Sequence, residues 1–180
     1  MEINAAGDLV LTDPAAMWAL ADSTRLTLHD CLRRDGPSSV AELAESLDLD
    51  ADDVDTSLVV LEEAGLVEHS GERWSVLGQG VFFEIPDDPE GQQAARQLSN
   101  TMLLQYADLP RRWVADSEPR LAPEWARAAG LFNARLSLTA DELREVQERL
   151  EELLEPYLAR DDLPGGADTV RILAYFLPQG

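Results

Sequence analysis

The chain contains no lysine: arginine supplies all 14 basic residues against 35 acids, for a net charge of −21. That balance works against any surface that must hold a polyanion by replacing its counterions. Cysteine occurs once, at Cys31, which excludes a disulfide framework within the chain and fits a reducing, cytoplasmic setting. No apolar run approaches the ~20 residues of a membrane span. The opening MEINAAGDLVL has neither the basic flank nor the long apolar centre of a secretory leader. Histidine is limited to His29 and His69. Together with Cys31 they fall short of the several convergent ligands a soft metal needs, and His29 and Cys31, two apart on a helix, point to different sides. There is no G-x-S-x-G elbow, no G-x-x-x-x-G-K phosphate loop and no dinucleotide fingerprint. The chain therefore reads as a non-enzyme that needs no metal or cofactor.

What is present is a strong local pattern. Ser38 and Ser39 follow Gly36-Pro37, and one of them caps a helix through Glu42. Val40, Leu43, Ala44 and Leu47 recur at helical spacing. A turn at Asp48 to Asp50 leads into a second helix, capped by Asp50, with Val54, Leu58, Leu61 and Ala64 on its buried face and Gly65 at its end. Leu66 to His69 and Arg73 to Val76 read as strands around a Ser70-Gly71 turn. A helix pair followed by such a hairpin is a winged helix-turn-helix. One helix from about Pro14 to Arg34, begun by Asp13-Pro14, packs Met17, Leu20, Ala21, Leu28 and Leu32 against the pair.

The stretches ALADSTRLTLHDCLRRDGP, SVAELAESLDLDADDVDTSLVVLEEAGLV and EHSGERW resemble the ArsR-type winged-helix transcriptional regulators. The resemblance covers roughly residues 13 to 78. Further on, GVFFEIPDDPEG and LTADELREVQERLEELLEPY are similar to the longer actinobacterial members with a C-terminal extension. It implies DNA contacts from Ser39, from Ala51, Asp52, Asp55, Thr56 and Ser57 on the second helix of the pair, and from His69 and Arg73 on the wing. Arg25 is a further candidate, and Glu72 is expected between the two wing residues. Thr56 and Ser57 suit phosphate or a base edge, whereas Asp52 and Asp55 repel phosphate and suit only a donor such as cytosine N4. Part of the acidity is helix chemistry, since Asp50, Asp52 and Asp53 sit where carboxylates favour the helix dipole. Asp55 is not explained this way. Up to Gly78 the chain carries 4 Arg and 17 acids, net −13, and beyond it 10 Arg and 18 acids, net −8.

The fold class expected is α+β, mainly helical: a winged helix-turn-helix over residues 1–78, then a small antiparallel sheet with helices over residues 79–180, serving as a dimerisation or effector domain. Val81 to Ile85 reads as a strand, and a helix follows from about Glu90 to Ala115, kinked or split at Pro110. Leu131 to Leu138 reads as a strand by alternation and Thr169 to Leu177 as another after the Pro164-Gly165-Gly166 turn, with a helix between them capped by Thr139 and Glu142. That helix carries a stripe of Leu143, Val146, Leu150, Leu153 and Tyr157, open to core packing or to a dimer contact. Phe82, Trp113, Trp125, Phe132 and Tyr157 suit either a core or an apolar pocket for a small-molecule effector. Arg111, Arg112, Arg127 and Arg135 either balance acids or meet an anionic effector.

Two functions follow. One is a cytoplasmic ArsR-like regulator that binds double-stranded DNA as a homodimer, weakly or unusually, without sensing metal and with no membrane association. The other is an acidic winged-helix protein that has lost DNA binding and acts through protein partners or DNA mimicry.

Overall fold

The structure, a computed structural model, describes every residue except Met1, Ala5, Ala6, Gln79, Ala159, Asp161 and Gly180. Helix α1 (Pro14–Leu20) starts where the Asp13 carboxylate accepts from the Ala15 amide at 2.9 Å. Helix α2 spans Ser23–Asp35. The single helix expected over residues 14–34 is broken at Ala21-Asp22, because the Asp22 side chain accepts from the amides of Thr24 and Arg25, both at 3.0 Å. That captures orphan donors that would otherwise continue the first helix.

Helices α3 (Val40–Leu47) and α4 (Ala51–Glu63) form the expected pair. Ser39 is the cap of α3: its hydroxyl accepts from the Glu42 amide, and the Glu42 carboxylate accepts from the Ser39 amide at 2.7 Å. The turn between them puts Asp48 in the left-handed region, at φ 55°. Gly65, at φ 69°, closes α4, with the Leu66 amide donating to the Leu61 carbonyl and the Gly65 amide to that of Glu62. This is the hydrogen-bond pattern of a Schellman stop, and it turns the chain straight into the wing. Strands β3 (Val67–Ser70) and β4 (Arg73–Val76) pair antiparallel, with Ser70 opposite Arg73. Ser38 and Trp74 exchange backbone hydrogen bonds, tying the wing to the loop that leads into α3.

A second sheet joins the beginning of the chain to the segment after the wing. Strands β1 (Glu2–Ile3) and β2 (Leu9–Leu11) pair antiparallel, and β2 pairs parallel with β5 (Val81–Phe83). Helix α5 (Pro89–Tyr106) then packs on α1. Its Ala94, Ala95 and Leu98 lie in one buried cluster with Leu11, Met17, Leu28, Val54, Leu58 and Leu61. The core thus continues past Gly78 into α5.

The chain continues through α6 (Leu109–Arg112), a π turn at Trp113–Ser117, a 3-10 turn at Glu118–Arg120, α7 (Pro123–Ala128) and α8 (Ala140–Leu158). The long helix expected to Ala115 is split just before Pro110, as Pro chemistry requires. Thr139 and Glu142 form the expected capping box of α8. Residues 131–138 and 169–177 are not strands, which corrects the reading from sequence. Among the described residues of one chain neither has a ladder partner, and a strand without one leaves its backbone groups to water. The whole is α+β and mainly helical.

Candidate nucleic-acid interface

Helix α4 is anchored by Val54, Leu58 and Leu61, all fully buried, which turns Ala51, Asp52, Asp53, Asp55 and Thr56 outward and leaves Ser57 half-buried. Asp50 accepts from the Asp52 amide at 2.9 Å, so it is spent on the cap. Asp52, Asp53 and Asp55 remain as exposed carboxylates along one helix beside the wing.

Each of the other expected contacts is already engaged inside the protein. Ser39 is held by the capping box, its hydroxyl 3.0 Å from Glu42 Oε2. Arg73 donates to the Pro37 carbonyl at 2.6 Å and to Glu42 Oε1 at 3.1 Å, bracing the wing against α3. His69 stacks on Trp74 with ring centroids 4.9 Å apart, and its Nδ1 lies 3.1 Å from Glu62 Oε1. The acids beside Arg73 and His69 are therefore Glu42 and Glu62, and not Glu72 as the sequence suggested. The amide and hydroxyl of Ser39, with Arg73 adding to them, hold the Glu42 carboxyl below the usual carboxylate range.

The same holds for every arginine up to Gly78. Arg25 lies 4.0 Å from Asp22 and donates to the carbonyls of Trp18 and Ala19; Arg33 pairs with Asp30 at 3.2 Å. Arg34 pairs with Asp35 at 2.6 Å, and Arg73 with Glu42. Exposed pairs of this kind contribute only ~0–1 kcal/mol and exchange readily. Their consequence is electrostatic: a phosphate that captures one of these guanidiniums meets its carboxylate as well.

Behind this surface, α2 and α5 are joined by a half-buried polar node. Tyr106 donates to Asp30 Oδ2 at 2.6 Å, while Arg33 holds the other carboxylate oxygen. Burial, then the Asp30 contact, push the Tyr106 hydroxyl well above its ordinary pKa. No sequence signal marks this node, because its partners lie 76 residues apart. The Arg73–Glu42 brace was hidden for the same reason, at a separation of 31.

The five aromatics read as an effector site stand on separate segments. Phe82 is on β5, Trp113 in the π turn, Trp125 on α7, Phe132 after α7 and Tyr157 on α8; Trp113 and Trp125 are half-buried and the other three exposed. None of them lines either of two clefts: one of about 690 Å³ beside Trp18, Arg25, Glu63 and Glu90, and one of about 480 Å³ beside Asp22, Gln97, Thr101 and Gln105. Cys31 is buried and accepts a hydrogen bond from Arg34 at 3.4 Å. Among the described residues no three His, Cys, Asp or Glu side chains converge as a metal site, and no helix is long and apolar enough to cross a membrane.

Two helices set by a tight turn, a hairpin wing braced against the first of them, and a helical core behind define a winged helix-turn-helix protein. Residues 20–70 match the family described as helix-turn-helix domain. Over 114 residues, 63% of this chain and 80% of the relative, the sequence is 29% identical to the arsenic resistance transcriptional regulator ArsR1 of Pseudomonas putida. Residues 20–70 are thus a helix-turn-helix domain.

Proposed function

We propose that this protein is a cytoplasmic, DNA-binding transcriptional regulator that acts as a homodimer. The observation that carries this reading is the arrangement of α4: one face fixed in the core, the other exposed next to a braced wing, as insertion into a major groove requires. The similarity to a transcriptional regulator supports it. Thr56 and Ser57 are the side chains best suited to phosphate or base edges, with Ala51 allowing close approach. Control by soft metal is not part of the proposal, since the single cysteine is buried and bonded to Arg34. Residues 79–180 supply the dimer contact, and an effector that acts there is a small molecule. The protein is not an enzyme.

A second reading is favoured by one specific observation, the exposed Asp52, Asp53 and Asp55 together with four arginines each tied to an acid. In that reading the α4 face meets a basic protein surface or mimics DNA. A mobility-shift assay with the DNA upstream of its own gene, at low salt and with unrelated DNA as competitor, separates the two. Specific retardation is expected; its absence at low salt overturns DNA binding in favour of the protein partner.

A further inference from the structure

Among the described residues 21 large hydrophobics stand exposed, and 13 of them fall between Leu131 and Leu177. They are ordered. In residues 131–138, Phe132, Leu136 and Leu138 share one face while Asn133, Arg135 and Ser137 occupy the other. Helix α8 carries its Leu143–Tyr157 stripe with no residue buried. In residues 169–177, Val170, Ile172, Ala174 and Phe176 make one face wholly apolar, and the other, after Thr169 and Arg171, is apolar from Leu173 through Tyr175 to Leu177. We propose that residues 131–177 form a strand–helix–strand unit completed by a second copy of this chain. Its four strands make one sheet, with the two 169–177 segments paired at the centre and the two 131–138 segments at the edges. This deepens the homodimer proposed above by assigning its contact surface.

Three observations select a second copy over closure within one chain. A sheet of two strands is marginal alone, and three or more are needed to hold an apolar face. A segment apolar on both faces suits a central strand, whereas one with a polar face suits an edge. In one chain both segments would be edges; about a two-fold axis, 169–177 meets its own copy antiparallel and becomes central. Thirteen exposed large hydrophobics gathered in one region are also more than a monomer commonly leaves without a partner. Pairing through strands, and not through α8, keeps apart two helices that each carry seven carboxylates against two arginines.

The test uses the full chain with Cys31→Ser and single cysteines placed in turn at Ile172, Leu173 and Ala174. Under mild oxidation at least one position is expected to give a covalent dimer, and a cysteine at Asn133 in the edge segment is not. Hydrogen exchange on the unmodified chain is expected to slow about tenfold or more in 131–138 and 169–177 as concentration carries it from monomer to dimer in sedimentation. A dimer that cross-links at none of the three central positions overturns this surface and leaves the homodimer standing. Protection of both segments in a monomer overturns it in favour of closure within one chain. A chain that stays monomeric at every concentration overturns both this surface and the dimer.

Discussion

If α4 enters a groove as proposed, Asp52 and Asp55 set how readily it approaches a phosphate backbone, because both are exposed on that helix. Replacing both with Asn removes two negative charges there and keeps a polar surface. Non-specific DNA affinity at low salt is expected to rise on the order of tenfold, or ~1.4 kcal/mol, measured by fluorescence anisotropy with a random duplex. The melting temperature should fall only slightly, since a first-turn carboxylate contributes ~0.3–1 kcal/mol to the helix. Unchanged affinity would mean that these side chains point away from the duplex.

His29 has a different consequence, one of stability. It is buried on α2 and its Nε2 has no hydrogen-bond partner among the described residues. Burial lowers its pKa to about 4, against the opposing pull of Asp30. The unfolded chain takes up a proton near pH 6.5 and the folded chain does not until about pH 4, so stability is full above that window and falls as pH drops through it. The loss attributable to His29 is about 3 kcal/mol, reached near pH 4. Urea unfolding of the protein and of His29→Leu at pH 7.5 and pH 4.5 checks this. The variant should lose less stability between the two, and an equal loss in both would assign the acid sensitivity to carboxylates.

At the scale of elements, the break between α1 and α2 depends on one side chain. Asp22→Ala is expected to cost about 1 kcal/mol, read as a lower urea midpoint with an unchanged slope, because it leaves the Thr24 and Arg25 amides without their acceptor. The break was not legible in the sequence, since the stripe from Met17 to Leu32 runs across it in helical register and hides the cap. The Ser39–Glu42 box, the Asp50 cap and the Gly65 stop were legible, because each acts within four residues of its own position. Strand β2 was not: it has three residues, and its parallel partner is 72 positions along the chain. The candidate site divides in the same way. Spacing placed Asp52, Asp55 and Thr56 on the exposed face of α4, while the carboxylates that engage Arg73 and His69 come from other elements and became visible only in three dimensions.

For the molecule as a whole, a net charge of −21 sets the terms on which DNA is met. Binding to a duplex releases about 0.9 counterion per phosphate contacted, so the slope of log affinity against log salt counts the cations in use. In the proposed complex the arginines of the first part expected at the backbone are Arg25 and Arg73, each of which must leave a carboxylate. The proposed homodimer would therefore offer about four guanidiniums, and the slope is expected to be no steeper than about −3.6. Titrations of the operator between 50 and 200 mM salt, roughly the range where such slopes are well defined, measure it directly. A steeper slope requires cations from elsewhere, and the ten arginines beyond Gly78 are where they stand. In that event the C-terminal part would contact DNA itself, and the acidity of α4 would serve to select among sequences by repelling those that offer no donor to Asp52 or Asp55.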